Sequence, residues 1–222
     1  MFDNCDGADV DNVNVLCANI LNDDAFDICS SRNFTFRNCF ARAQDDIIAV
    51  KGTRENNCEN IHCENCKLWT DKANIWRIGY ECECQAMRNI TAKDIDVLHY
   101  SIDYRSPTTY WANCIFFIQP SNNMVIEDCL FEDIRINASD NDALLIDALP
   151  CYTGYQHKYS EAGDARNITF RNISVTGDKS VFTGRVYIDE EDKGHTVSDI
   201  KLENITFFGK KKEFKEEIYI SE

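Results

Sequence analysis

Apolar residues recur along this chain in one pattern, apolar-x-apolar-x-Asn/Asp-apolar-x-apolar, found seven times. The polar column holds Asn12, Asn38, Asn65, Asp94, Asp128, Asn172 and Asn204. Four residues before it stand Ala8, Phe34, Ile61, Ile90, Met124, Ile168 and Ile200; one residue after it stand Val13, Cys39, Cys66, Ile95, Cys129, Ile173 and Ile205. Alternation with period two predicts strands, and the break in phase at Asn/Asp predicts a bend between two short ones. A second apolar strand follows in each unit, at Phe26 to Ile28, Ile48 to Val50, Ile75 to Ile78, Ile115 to Ile118, Leu144 to Ile146, Val186 to Ile188 and Ile218 to Ile220. The unit length runs from 26 residues (Asn12 to Asn38) to 44 (Asp128 to Asn172), with several strands and no helix in each. These features predict an all-β fold, a parallel β-helix of about seven coils forming one domain over residues 1–222, in which each coil buries its inner face only by stacking on its neighbours. Asn side chains at the bend would hydrogen-bond along the stack.

Such stacking changes how the smaller motifs read. Asn-x-Ser/Thr occurs at Asn33, Asn89, Asn137, Asn167, Asn172 and Asn204, but five of the six belong to the repeat, where Asn suits the turn and Thr the strand. Cys63-x-x-Cys66 falls in apolar columns, so core packing is favoured over a redox or zinc role. Cys82-Glu83-Cys84 is placed outside the columns, in a connecting loop open to metal binding or oxidation. Unpaired core thiols among the 12 cysteines favour a reducing or anaerobic setting.

The net charge of -15 argues against nucleic acid, anionic membrane surfaces and polyanionic substrates. No run of about 18 apolar residues spans a membrane, and Met1-Phe2-Asp3-Asn4 does not open a signal peptide. The columns begin by Ala8, which leaves no room for a polar cap; the expectation is a piece of a longer protein, with self-association through exposed coil edges. Two long aromatic segments, His99 to Trp111 with Tyr104 and Cys151 to Tyr159, are candidates for stacking on sugar rings. His99 or His157 could supply an imidazole there, while His62 faces outward by parity.

Acidic clusters precede two of the second strands: Asn22-Asp23-Asp24-Ala25-Phe26-Asp27 and Gln44-Asp45-Asp46-Ile47-Ile48-Ala49-Val50. Asp24, Asp45 and Asp46 should therefore meet on one surface. Crowding raises at least one carboxyl pKa and sets a neutral acid beside ionised ones, as glycoside cleavage requires. No cofactor is needed for that chemistry. In the inverting geometry acid and base stand roughly 6.5 to 9.5 Å apart, with the attacking water between them.

These two motifs resemble the first two signature motifs of the polygalacturonases, glycoside hydrolase family 28. The resemblance implies a right-handed, pectin-lyase-like β-helix and an inverting hydrolase, with Asp45 as general acid, Asp24 and Asp46 positioning and deprotonating water, and Asn22 on the substrate side. The family's Gly-His-Gly motif falls near Ala73-Asn74-Ile75, which places Asn74 in the cleft without its histidine. Its Arg-Ile-Lys motif falls on Phe116-Phe117-Ile118, so the cleft floor is expected to be apolar at Phe116 and the substrate a neutral glycan. The run Ile75-Trp76-Arg77-Ile78-Gly79-Tyr80 is more similar to the related dextranase and isopullulanase family 49, making Arg77 and Tyr80 candidate sugar-binding residues. The competing readings are a non-catalytic glycan-binding or structural module, whose acids hold calcium or are a relic, and a calcium-dependent polysaccharide lyase.

Overall fold

The structure, a computed structural model, describes residues 1–17, 22–100, 114–138, 144–148, 162–177, 185–188, 191–192 and 194–211. No helix occurs among them. One sheet carries, in spatial order, Phe2–Asp3, Phe26–Cys29, Ile48–Gly52, Trp76–Cys82, Cys114–Gln119, Leu144–Ala148 and Arg185–Ile188, all parallel. The other carries Asp6–Asp11, Arg32–Arg37, Cys58–Thr70, Ala86–Tyr100, Val125–Ala138, Asp164–Gly177 and His195–Phe207, again parallel. Asn14–Leu16 and Phe40–Ala43 extend that stack at its start. Among the described residues, Glu191–Asp192 and Lys210–Lys211 pair antiparallel with His195–Phe207, and Ser121 forms an antiparallel bridge with Ala162. The chain thus alternates between two sheets, and each strand pairs with its counterpart one repeat away, as the periodicity predicts. The expected strand at Ile218 to Ile220 lies outside the described residues.

The long strands of the second sheet are bent at two columns of left-handed residues, five positions apart. The first includes Asn33, Asn60, Asn89, Asp128 and Asn167; the second Asn38, Asn65, Asp94, Asp133, Asn172 and Asn204; every φ lies between 50° and 60°. Asn and Asp tolerate this region better than other residues with a Cβ. The register corrects one position of the sequence pattern. Lys93 pairs with Glu132 and Ile95 with Ile134, so Asp133, not Asp128, continues from Asp94, and Asp128 belongs to the first column. Met124 and Ile126 give way to Cys129 and Phe131, which pair with Ile90 and Ala92.

The amides form the expected ladder, each donating to the side chain one repeat earlier: Asn60 to Asn33 (2.8 Å), Asn89 to Asn60 (2.7 Å), Asn65 to Asn38 (2.7 Å) and Asn204 to Asn172 (2.8 Å). Asp128 and Asp133 enter as acceptors only, taking bonds from Asn167 and Asn172. A carboxylate has no N–H to pass on, so the ladder stops at each Asp and restarts beyond it.

The residue before each left-handed bend forms an outward column of its own, read off the same register. One column runs Asp6, Arg32, Glu59, Arg88, Glu127, Arg166; the second runs Asp11, Arg37, Glu64, Lys93, Glu132, Arg171, Glu203. The sign alternates at every step. Ion pairs form at most of these steps, though not between Glu64 and either Arg37 or Lys93, and their Arg and Lys side chains are exposed, so each pair contributes at most about 1 kcal/mol.

Between the sheets lies an apolar interior with stacked aromatics. Phe131 and Phe170 stack at 5.0 Å, with Phe116 against both and Trp76 edge-on to Phe131. Cys63 and Cys66 face this interior on either side of Asn65. Cys82 and Cys84 are also buried, Cys82 as the last residue of a strand, so the expected loop thiols are core side chains. Burial pushes the Cys82 thiol far up and Cys84 up to about 11.

The strand Trp76–Cys82 kinks at Gly79 (φ 99°) and Tyr80 (φ 77°). A Cβ on Gly79 would stand 2.1 Å from the Gln119 carbonyl oxygen on the next strand. Backbone strain and clash act together there, so Gly79→Ala is expected to lower stability by about 2 kcal/mol or more. Urea unfolding checks this; an unchanged midpoint would mean that the two strands separate at no cost.

Candidate active site

Asp24 and Asp45-Asp46 leave the second sheet's end of two successive repeats and enter the strands Phe26–Cys29 and Ile48–Gly52, which pair in parallel. The pairing continues back through the turns, where Ala25 N donates to Asp46 O and Phe26 N to Ile47 O. One turn therefore lies on the other. The result brings one carboxylate oxygen from each of Asp24, Asp45 and Asp46 within 4.8 Å of one another. This closest-approach figure is below the separation expected of an inverting pair.

The three acids are held differently. Asp46 is buried; its Oδ1 accepts from Asn74 N (3.1 Å) and Asn74 Nδ2 (2.8 Å). Asn74 in turn accepts from Cys114 N (3.2 Å). Asp24 Oδ1 accepts from Asp46 N (3.0 Å), and its Oδ2 meets Lys51 Nζ at 2.6 Å. Lys51 also reaches Asp27 Oδ1 at 2.8 Å and Glu81 at 3.6 Å. The backbone of Asp45 is fixed by Thr70 Oγ1, which donates to its carbonyl (3.0 Å) and accepts from Ala73 N (3.1 Å). Its carboxyl takes no hydrogen bond from the described residues.

Burial is the first cause of each shift here. It pushes Asp45 up to about 7, with Asp46 and Asp24 adding their repulsion against the weaker pull of Arg77 and Lys51. Asp46 is also raised by burial and by Asp24, against Arg77 and Asn74. Burial raises Asp27 too; Lys51 opposes this and Asp24 adds to it. Burial would lower Lys51, but the carboxylates of Asp24 and Asp27 outweigh it and hold the ammonium firmly charged.

Arg77 lies on the outward side of the next strand, opposite Ala49, with Phe117 opposite it in turn. Its Nη2 donates to Gln119 Oε1 (2.6 Å), and its buried Nε, which makes no hydrogen bond, stands 3.9 Å from Asp46 Oδ2. The guanidinium sits over the rings of Tyr80 (4.3 Å) and Phe117 (5.0 Å). Beyond the turn, Trp69 donates its indole N–H to Asp71, lies under Arg42 and packs against His99 at 4.7 Å.

Not every expected residue joins the acids. Phe116 is fully buried against Phe131 and Phe170: alternation along Cys114–Gln119 turns it inward, and Phe117, also buried, lies under the Arg77 guanidinium. Asn74 is buried behind Asp46 and orients that carboxylate instead of lining the cleft. Asn22 stands exposed in a left-handed turn (φ 65°) two residues before Asp24. Tyr104, His157 and the aromatic segments around Tyr110, Trp111 and Cys151 to Tyr159 lie outside the described residues. Asp27 belongs to the acidic motif but had no role assigned from the sequence, and Lys51 escaped that reading, although it follows Val50 on the outward parity of a strand that starts at the acids.

A divalent cation is conceivable for three converging carboxylates, but calcium takes six to eight oxygens, and an ammonium already stands 2.6 Å from Asp24. A separate polar cavity of about 420 Å³, lined by residues including Asn4, Arg32, Glu55 and Asn57, contains none of these acids. Comparison with known protein families finds no matching family model, and no curated protein matches the chain. The resemblance of the two acidic motifs to the polygalacturonases therefore rests on the residues themselves.

Proposed function

We propose that this chain is a right-handed parallel β-helix of about seven coils, and that Asp24, Asp45 and Asp46 are the acid and base groups of a glycoside hydrolase acting on a polysaccharide. The observation that carries this reading is the division of labour among three converging carboxyls. Asp46 is locked by Asn74 and Asp24 faces Lys51, while the carboxyl of Asp45 is left without a hydrogen bond from the described residues and is raised to about 7. A carboxyl that keeps its proton near neutrality can protonate the leaving glycosidic oxygen. Asp24 and Asp46 would hold a water and take its proton as it attacks the anomeric carbon.

The same geometry favours a neutral glycan. Arg77 is engaged by Gln119 and lies against Asp46, and Lys51 is engaged by Asp24 and Asp27. Each cation beside the acids thus has a partner already, and the charge of -15 opposes a polyanion. Tyr80, half-buried beside the acids with Arg77 over its ring, would be the aromatic side chain that a sugar meets, while Phe117 is buried beneath that guanidinium.

Incubation with dextran, pullulan, polygalacturonan and rhamnogalacturonan, followed by reducing-end measurement, is expected to show release from a neutral glucan and none from polygalacturonan. NMR of the first-formed anomer should show inversion. Retention would replace the single displacement by a covalent intermediate, in keeping with the short carboxylate distances. Binding of a glycan with no release from any would move the site to a binding module.

A further inference from the structure

Asp24 and Asp46 are not equally free to take a proton. Both oxygens of Asp24 are engaged: Oδ1 accepts from Asp46 N (3.0 Å), and Oδ2 meets the Lys51 ammonium at 2.6 Å. In Asp46 the two bonds from Asn74 both fall on Oδ1, and Oδ2 takes none from the described residues. The Asp46 side chain is 5% exposed, and Arg77 Nε, also buried, stands 3.9 Å from that second oxygen and donates to none of the described residues.

Arg77 is held where it stands. Its Nη2 donates to Gln119 Oε1 at 2.6 Å, and its guanidinium lies 4.3 Å from the centre of the Tyr80 ring and 5.0 Å from that of Phe117. Tyr80 itself has a φ of 77°, a backbone conformation that an aromatic residue keeps only where its surroundings enforce it. A separation of 3.9 Å is too long for a hydrogen bond. One water oxygen spans it, accepting from the N–H and donating to the carboxylate.

We propose that Arg77 is a catalytic residue: its Nε–H and Asp46 Oδ2 hold the attacking water between them, and Asp46 alone takes the proton. This rests on the glycoside hydrolase reading and narrows it, because Asp24 is left to hold the Asp46 backbone and Lys51. The water accepts from Arg77 with one lone pair and presents the other to the anomeric carbon. As that oxygen bonds to the carbon, its proton passes to Asp46 Oδ2; the glycosidic C–O bond breaks, and the leaving oxygen takes the proton of Asp45. Arg77 stays charged throughout, and against the upward push of burial it favours the ionised form of Asp46 that the step needs.

The test uses the whole chain and whichever of dextran, pullulan, polygalacturonan and rhamnogalacturonan it cleaves. Arg77→Lys keeps the charge but has no Nε–H in that place, and is expected to lower kcat about 10²-fold with KM little changed. Asp46→Asn should lower kcat too, and the double variant should be no slower than the slower single one, because both side chains act on one water. A crystal structure of the parent should show a water within hydrogen-bond distance of Arg77 Nε and Asp46 Oδ2, a readout that needs neither substrate nor a folded variant. Losses that multiply, a raised KM with kcat unchanged, or a crystal with no such water would overturn the assignment of Arg77 and leave the hydrolase standing. Retention of anomeric configuration would overturn it as well, by making a carboxylate the nucleophile. A parent that cleaves none of the four glycans would remove the hydrolase reading itself, and this assignment with it.

Discussion

Replacing Asp45 by asparagine is expected to lower hydrolytic turnover by about 10²- to 10⁴-fold, the usual share of a general acid, while stabilising the folded chain at alkaline pH. Both effects come from one cause. Burial, then Asp46 and Asp24, push the Asp45 carboxyl from the ordinary 3.8 up to about 7. Between those values the folded chain holds a proton that the unfolded chain has lost. Stability therefore falls as pH rises through that window, and above about 7 the folded state carries the full burden of a third buried charge. Asparagine cannot ionise, so thermal melts should show the variant ahead of the parent at pH 8 and level with it at pH 3. Turnover of the parent should fall as pH rises through about 7, as the acid loses its proton. Retained turnover in the variant would remove Asp45 from the chemistry. Lost turnover with no gain at pH 8 would mean that Asp45 is not the strained member of the three.

Removing Lys51 should have the largest effect on folding. Its ammonium is mostly buried and lies against Asp24, Asp27 and Glu81. Deleting one partner of a buried pair leaves a charge with neither water nor counter-ion, which costs about 3–5 kcal/mol. Lys51→Met keeps the aliphatic stem and isolates the charge; Lys51→Ala also opens a void. Denaturant unfolding should show the full loss in the Met variant at pH 8, shrinking as the pH is lowered, because Asp27, already raised by burial, can then take a proton. A Met variant within about 1 kcal/mol of the parent at pH 8 would show the acids to be solvated well enough without it. Because Lys51 also holds Asp24, its loss should slow turnover even where the chain still folds.

The fold was legible because period-two alternation and the Asn/Asp bends are local consequences of the stacking. The slip at Asp128 shows where that reading fails. Met124 and Ile126 precede Asp128 with the same spacing as Cys129 and Phe131 precede Asp133, so two left-handed columns five residues apart give the same string twice. Equal intervals would have decided between them: Asp133 lies 39 residues from both Asp94 and Asn172. The meeting of Asp24 with Asp45 and Asp46 followed from the repeat, since turns in register must stack. The inward turn of Phe116 did not, because Ile115, Phe116, Phe117 and Ile118 are all apolar and carry no record of which face is inside. Lys51 could have been read from parity; its three acidic partners could not, as Glu81 comes from a third strand beyond a kink.

The alternating charges also set a rule for how this molecule can change in length. Excising the single repeat that contributes Arg88 and Lys93 would lay Glu59 on Glu127 and Glu64 on Glu132, acid on acid in both columns. Excising two successive repeats restores the alternation, and so does duplicating two. Lineages that lengthen or shorten this chain, and designers who do the same, should therefore find even steps tolerated and odd steps penalised, a parity written on its surface and independent of what its interior would accept.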